Sequence, residues 1–150
     1  MKKHYRLFDE PKAAADLGCW ESVVGEFTQV AGYTFFGDFF LRDPETDYYA
    51  VLCTIRPGLI PLNYQGREAF EGFLATERVR NHLLRVQDVA KLEQMIGELG
   101  ADEVYVPEPY PFLGGDESLE SYARRKVWVF VDLVGQMQGV GESDDEEGGA

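Results

Sequence analysis

The sequence predicts a single α+β domain, an antiparallel meander of three or more strands packed with about four helices. Three observations carry that prediction. The chain has 150 residues, the size of one domain and long enough to bury a core. Its middle is dense in aromatic and β-branched residues, broken by turns rich in Pro, Gly and Asp. On either side, apolar residues recur at three- and four-residue spacing. Hydrophobic residues make up 45% of the chain and aromatics 13%, which excludes wholesale disorder.

A first helix is expected from Pro11 to Val23. Pro11 suits a first-turn position, Ala13, Ala14 and Ala15 are strong helix formers, and Leu17, Trp20 and Val24 share a face. Gly25 is a plausible stop. Gly32 to Leu41 reads as a strand, apolar on both sides and therefore central or covered by helices. Asp43-Pro44-Glu45-Thr46-Asp47 is a turn, Tyr48 to Ile55 the returning strand, Arg56-Pro57-Gly58 a second turn, and Leu59 to Asn63 a third strand.

Gly66 to Leu74 reads as a helix on the stripe Phe70, Phe73 and Leu74, and Thr76 stands where a cap for its continuation would be. A longer helix runs from about Gln87 through Val89, Leu92, Met95, Ile96 and Leu99, with Gly100 as its C-cap. Asp102 to Val106 is a short strand. Pro107, Pro109 and Pro111 hold Glu108, Tyr110 and Phe112 extended, and Gly114-Gly115-Asp116 is a turn. From Ser118 to Gln138 the pattern is ambiguous. Val127 to Val131 has strand propensity, yet Val127, Phe130, Val131, Val134 and Met137 also fit a helical face. The domain is placed at residues 1–139, and residues 140–150 read as a disordered acidic tail.

Charge narrows the partner. Lys and Arg number 14 and Asp and Glu 27, a net −13. The tail holds five of those carboxylates, Glu142, Asp144, Asp145, Glu146 and Glu147, and no base, so residues 1–140 carry −8. An acidic body repels nucleic acid and anionic membrane and attracts basic partners. No apolar run approaches the roughly 20 residues of a membrane helix. The basic start lacks the apolar stretch of a signal peptide. The expected compartment is the cytoplasm.

The chain offers no self-contained catalytic set, and no enzyme activity is expected. His4 and His82 are far apart and belong to no recognisable triad. No GxSxG, HExxH or GxxxxGK[ST] is present. Cys19 and Cys53 lie alone in apolar settings, as reduced thiols do, and no CxxC supports zinc. Asp43, Glu45 and Asp47 alternate across one turn at a spacing that could hold a cation weakly, but not as an EF-hand loop, which needs a glycine and a distal Glu. No cofactor or metal is expected. Tyr33, Phe35, Phe36, Phe39 and Phe40 read as core. Tyr48, Tyr49 and Tyr64 read as partly exposed, and tyrosine beside carboxylate suits a protein-binding surface.

The order of segments resembles a known family. Gly32-Tyr33-Thr34-Phe35-Phe36-Gly37-Asp38-Phe39-Phe40-Leu41-Arg42-Asp43-Pro44 is similar to a strand pair in the C-terminal domain of type VI secretion DNase-effector immunity proteins, a family with relatives fused to GAD-like domains. Gly97 to Pro107, followed by Tyr110-Pro111-Phe112-Leu113-Gly114-Gly115, resembles a second segment of that family. Ser118-Leu119-Glu120 and Val127 to Met137 resemble its closing part, which implies a final helix. The likeness spans roughly residues 15–139. Two features depart from it, the proline-rich Pro107 to Pro111 and the acidic tail.

The resemblance implies an immunity protein that binds and neutralises a cognate antibacterial toxin, a nuclease with a basic surface, by blocking its active site or substrate cleft. On that reading the contact surface is expected at Asp43, Glu45, Asp47, Tyr48, Glu108, Asp116 and Glu117. Two alternatives stand beside it. One is a regulatory or scaffold domain for an endogenous partner. The other is a small acid/base or cation-dependent hydrolase using Asp38, Asp43, Glu45 and Asp47.

Overall fold

The computed structural model describes residues 3–141. Its centre is a five-stranded antiparallel meander in the order β1 (Tyr5–Ala13), β2 (Gln29–Thr34), β3 (Phe39–Arg42), β4 (Tyr48–Cys53) and β5 (Gly58–Gln65). Three helices follow, α1 (Arg67–Leu74), α2 (Glu77–His82) and α3 (Val86–Ile96). A two-stranded antiparallel sheet, β6 (Glu103–Pro107) with β7 (Tyr122–Lys126), precedes the closing helix α4 (Val127–Met137). This is the α+β architecture expected, with five strands in the meander.

The period-two alternation of the strands places apolar side chains on both faces of the meander. Val30, Phe39, Leu41, Ala50 and Leu52 face a large core with Leu17, Trp20, Phe130, Val131 and Val134. Ala31, Phe40, Tyr49 and Val51 face a second core with Phe70, Leu74, Val79 and Leu84. A third cluster joins Phe35 and Phe36 to Val89, Leu92, Tyr105 and Tyr122. The central strands are thus covered by helices on both sides, which is why they read as continuous apolar runs.

Several elements differ from the sequence reading. The helix expected from Pro11 is a strand up to Ala13, followed by a 3-10 segment, Ala14–Val23, interrupted at Gly18. Pro11 fits because the β1–β2 register breaks between Leu7 and Lys12, where no ladder N–H is needed. Ala14, Leu17 and Trp20 are buried at the three-residue period of a 3-10 turn. Gly32 to Leu41 is not one strand: residues 34–38 form a hairpin turn in which the Thr34 N–H donates to Asp38 O and the Gly37 N–H to Thr34 O. Gly37, at φ 85°, allows that reversal.

Helix α3 stops at Gly97, three residues before the expected cap at Gly100, and Met95 of its expected stripe is exposed. Phe112 lies in a 3-10 turn, Pro111–Leu113, rather than extended chain. Tyr49 is buried, stacked on Phe70 at 4.2 Å, so it is not a surface tyrosine. In the ambiguous segment after Ser118, Val127 to Val131 is helical, the first part of α4, and the strand β7 stands just before it at Tyr122–Lys126. Val140 packs on the large core. The acidic tail from Glu142 onward lies outside the described residues.

Candidate functional site

A small recess lies at the Asp38 end of the meander, against β6 and β7. It is a cleft of about 220 Å³ whose wall includes Phe36, Ile55, Pro107, Tyr105 and Tyr122 and whose charged residues are Asp38, Arg56, Arg85 and Glu117. A larger hollow of about 570 Å³ is lined by Lys3, Arg6, Asp9 and Arg67 among others. Those four residues are exposed; the smaller cleft holds the half-buried Asp38 and Arg85.

Asp38 is placed by the hairpin turn. Thr34 Oγ1 accepts the backbone N–H groups of Phe36 and Asp38, each at 3.2 Å. The Thr54 N–H donates to Asp38 Oδ1 at 3.2 Å, and the Thr54 hydroxyl donates to Gly37 O at 2.8 Å. Burial pushes the Asp38 carboxyl up to about 6, against the lowering effect of the Thr54 N–H and of the Arg85 charge. The neighbouring Cys53 thiol is pushed up to about 11, by burial first and then by Asp38.

Arg85 is clamped at the head of α3. Its backbone is left-handed, φ 53° and ψ 52°. Its guanidinium lies 4.0 Å over the Phe36 ring and 5.6 Å from that of Tyr122. Its Nε donates to Asp88 at 3.0 Å, and its Nη2 to the Tyr122 hydroxyl at 3.1 Å. Arg56 donates to Glu117 at 2.7 Å. Glu117 is left-handed too, at φ 60°. Non-glycine residues in this region carry a cost that the surroundings must sustain; four of the described residues do so, and two of them line this cleft.

The residues expected at a contact surface are dispersed. Asp43, Glu45 and Asp47 occupy the β3–β4 turn and Tyr48 opens β4, at the opposite end of β3 from Asp38. Asp43 is buried and organises that turn, accepting the Glu45 N–H at 2.9 Å and the Thr46 hydroxyl at 2.8 Å. Those hydrogen bonds hold its carboxyl below the ordinary range. Asp47 pairs with Arg42. Glu45 is exposed. Glu108 forms a bidentate pair with Arg125, both bonds 2.7 Å. Asp116 accepts the Ser118 N–H at 3.0 Å, which lowers its carboxyl. Of the seven, Glu117 alone lines the cleft.

Two features escaped the sequence reading. Arg85 is assembled with Asp38 and Tyr122 only by the tertiary fold. Helix α4 also exposes Val129, Leu133 and Met137, an i, i+4, i+8 stripe opposite its buried face. Among the described residues, no group of three or more His, Cys, Asp or Glu is placed to hold a metal ion. No described helix is long and apolar enough to cross a membrane.

Residues 65–138, from the end of β5 through α4, match the family model described as T6SS immunity protein Tdi1, C-terminal. Over that stretch the chain is similar to the type VI secretion immunity protein family. The match contains two of the segments on which the resemblance was read, Gly97 to Gly115 and Ser118 to Met137; the Gly32 to Pro44 segment lies outside it. No curated protein matches the chain. Among solved structures, the crystal structure of Atu4351 from Agrobacterium tumefaciens superposes with a TM-score of 0.61 at 14% identity, over 89% of this chain and 66% of that one. At that identity the likeness is one of fold.

Proposed function

We propose that this protein binds a cognate toxin delivered by a type VI secretion system, a nuclease with a basic surface, and neutralises it by covering the active site or substrate cleft. It does so as a binding protein, not as an enzyme. The family match over residues 65–138 carries the reading. The charge of −8 on residues 1–140 supports it, since an acidic inhibitor is drawn electrostatically to a surface evolved for nucleic acid.

The test is co-expression with the toxic product of the gene adjacent to its own. Survival of the cells and co-purification of a stable complex are expected. Loss of both protection and binding removes the proposal. Within that complex, the paired double variant Glu45→Lys and Glu117→Lys is expected to slow association several-fold at low salt and to flatten its salt dependence, with a much smaller change in dissociation. Stopped-flow association at two ionic strengths measures this, and an unchanged on-rate takes these acidic turns out of the contact surface.

A further inference from the structure

We infer that the Asp38 cleft is a socket for one basic side chain, lysine or arginine, presented by the bound partner; this rests on the toxin-binding reading and names the chemistry of its anchor. The volume of about 220 Å³ falls below that of sites for drug-sized ligands, and it suits a single side chain. The apolar wall of Phe36, Ile55, Pro107 and the two tyrosines matches a methylene stem, and the carboxylate matches its charged head.

The charges inside the cleft decide the sign of the guest. Arg85 is engaged by Asp88 and Tyr122, and Arg56 by Glu117. The Asp38 carboxylate is held by Thr54, whose N–H it accepts at 3.2 Å, and it feels the Arg85 charge, but it forms no salt bridge among the described residues. Both cations of the cleft are therefore satisfied, and Asp38 is the carboxylate left for a guest. The turn itself does not need a negative charge at this position, because a neutral amide oxygen would accept the Thr54 N–H equally well. A half-buried carboxylate whose charge the turn does not require, beside two residues held in left-handed backbone, is the pattern of a binding site rather than of a fold support.

The first arm of the test uses the protein alone. Amide chemical shifts of Gly37, Asp38, Thr54, Arg85 and Tyr122 are followed while N-acetyl-lysine methylamide is added, with the norleucine and glutamate analogues as neutral and acidic probes. Saturable shifts with the lysine probe, absent with the other two and lost in Asp38→Asn, are expected. Equal shifts with norleucine, larger shifts with the glutamate probe, or shifts unchanged in Asp38→Asn overturn the socket. The second arm uses the complex, where Asp38→Asn should weaken affinity about 30-fold or more.

Affinity in the complex should also fall about tenfold between pH 7.5 and 5 as Asp38, near 6 in the free protein, takes up a proton. The other titratable and charged groups lining the cleft are Cys53, Arg56, Arg85, Tyr105, Glu117 and Tyr122. Glu117→Gln in the same pH series separates the contribution of Glu117. An Asp38→Asn complex as tight as the unsubstituted one sinks the socket while leaving toxin binding intact. Failure of the unsubstituted protein to bind the toxin sinks the broader reading, and the probe titration still decides the cleft's preference.

Discussion

Asp38→Asn should melt at a higher temperature than the unsubstituted protein at pH 7.5, and at the same temperature near pH 4. The sign follows from the direction of the shift. Burial raises the Asp38 carboxyl from 3.8 to about 6, so the folded state holds its proton more tightly than the unfolded chain does. Between those two values the folded state binds more protons, and stability declines as pH rises through the window. Above about 6 the whole penalty is present; below about 4 both states are protonated and it is gone. A rise of that size corresponds to about 3 kcal/mol, or roughly 6–12 °C in a domain of this length.

Asparagine removes the charge and keeps an oxygen for the Thr54 N–H, which now bonds Oδ1 at 3.2 Å. Thermal melts of both proteins from pH 4 to 8 measure the difference. A gap that does not grow with pH would show that the carboxylate is not penalised where it stands. Taken with the binding test, a variant that is more stable and binds less well identifies a charge kept at the expense of stability. A residue needed only for the fold would lose both together.

How far this site could be read in advance depends on chain separation. Turns rich in Pro, Gly and Asp punctuate the meander, so β4, β5 and α1 could be read from local pattern. The β2–β3 hairpin could not, because its turn contains Phe35 and Phe36. Those aromatic residues are buried by elements that arrive much later, and Tyr105 ties its N–H to Phe35 O at 2.8 Å. β1 was hidden for a related reason: Pro11 and three alanines look like a helix start unless the register break on the partner strand is known. Asp38 entered the sequence reading as one carboxylate of the hydrolase alternative. Its neighbours Thr54, Arg85 and Glu117 come from the end of β4, the head of α3 and the loop before β7. Nothing in their local sequences pairs them. The acidic residues chosen from composition were those in turns, and several prove to be holding the turns themselves.

Gly135→Ala tests the packing that joins the family-matched segment to the rest of the chain. Helix propensity alone predicts a gain of about 1 kcal/mol, because glycine inside a helix is costly. The structure predicts the opposite sign. A Cβ on Gly135 would lie within the envelope of Trp20 Nε1 and 2.6 Å from Cys19 Sγ. Trp20 is buried, and its Nε1 donates to Val131 O at 2.8 Å, so the indole cannot yield without leaving a buried N–H unpaired. Overpacking and the strained hydrogen bond together are expected to cost about 2–4 kcal/mol. The midpoint should fall by roughly 5–15 °C. Trp20→Phe in the same background removes the clashing indole nitrogen and should restore part of that loss, a coupling that a double-mutant cycle isolates. A stabilised Gly135→Ala protein would mean that α4 is not seated against the 3-10 segment. Because Cys19 and Trp20 lie outside residues 65–138, the expected loss also means that the family-matched stretch depends on the N-terminal part of the chain for the seat of its last helix.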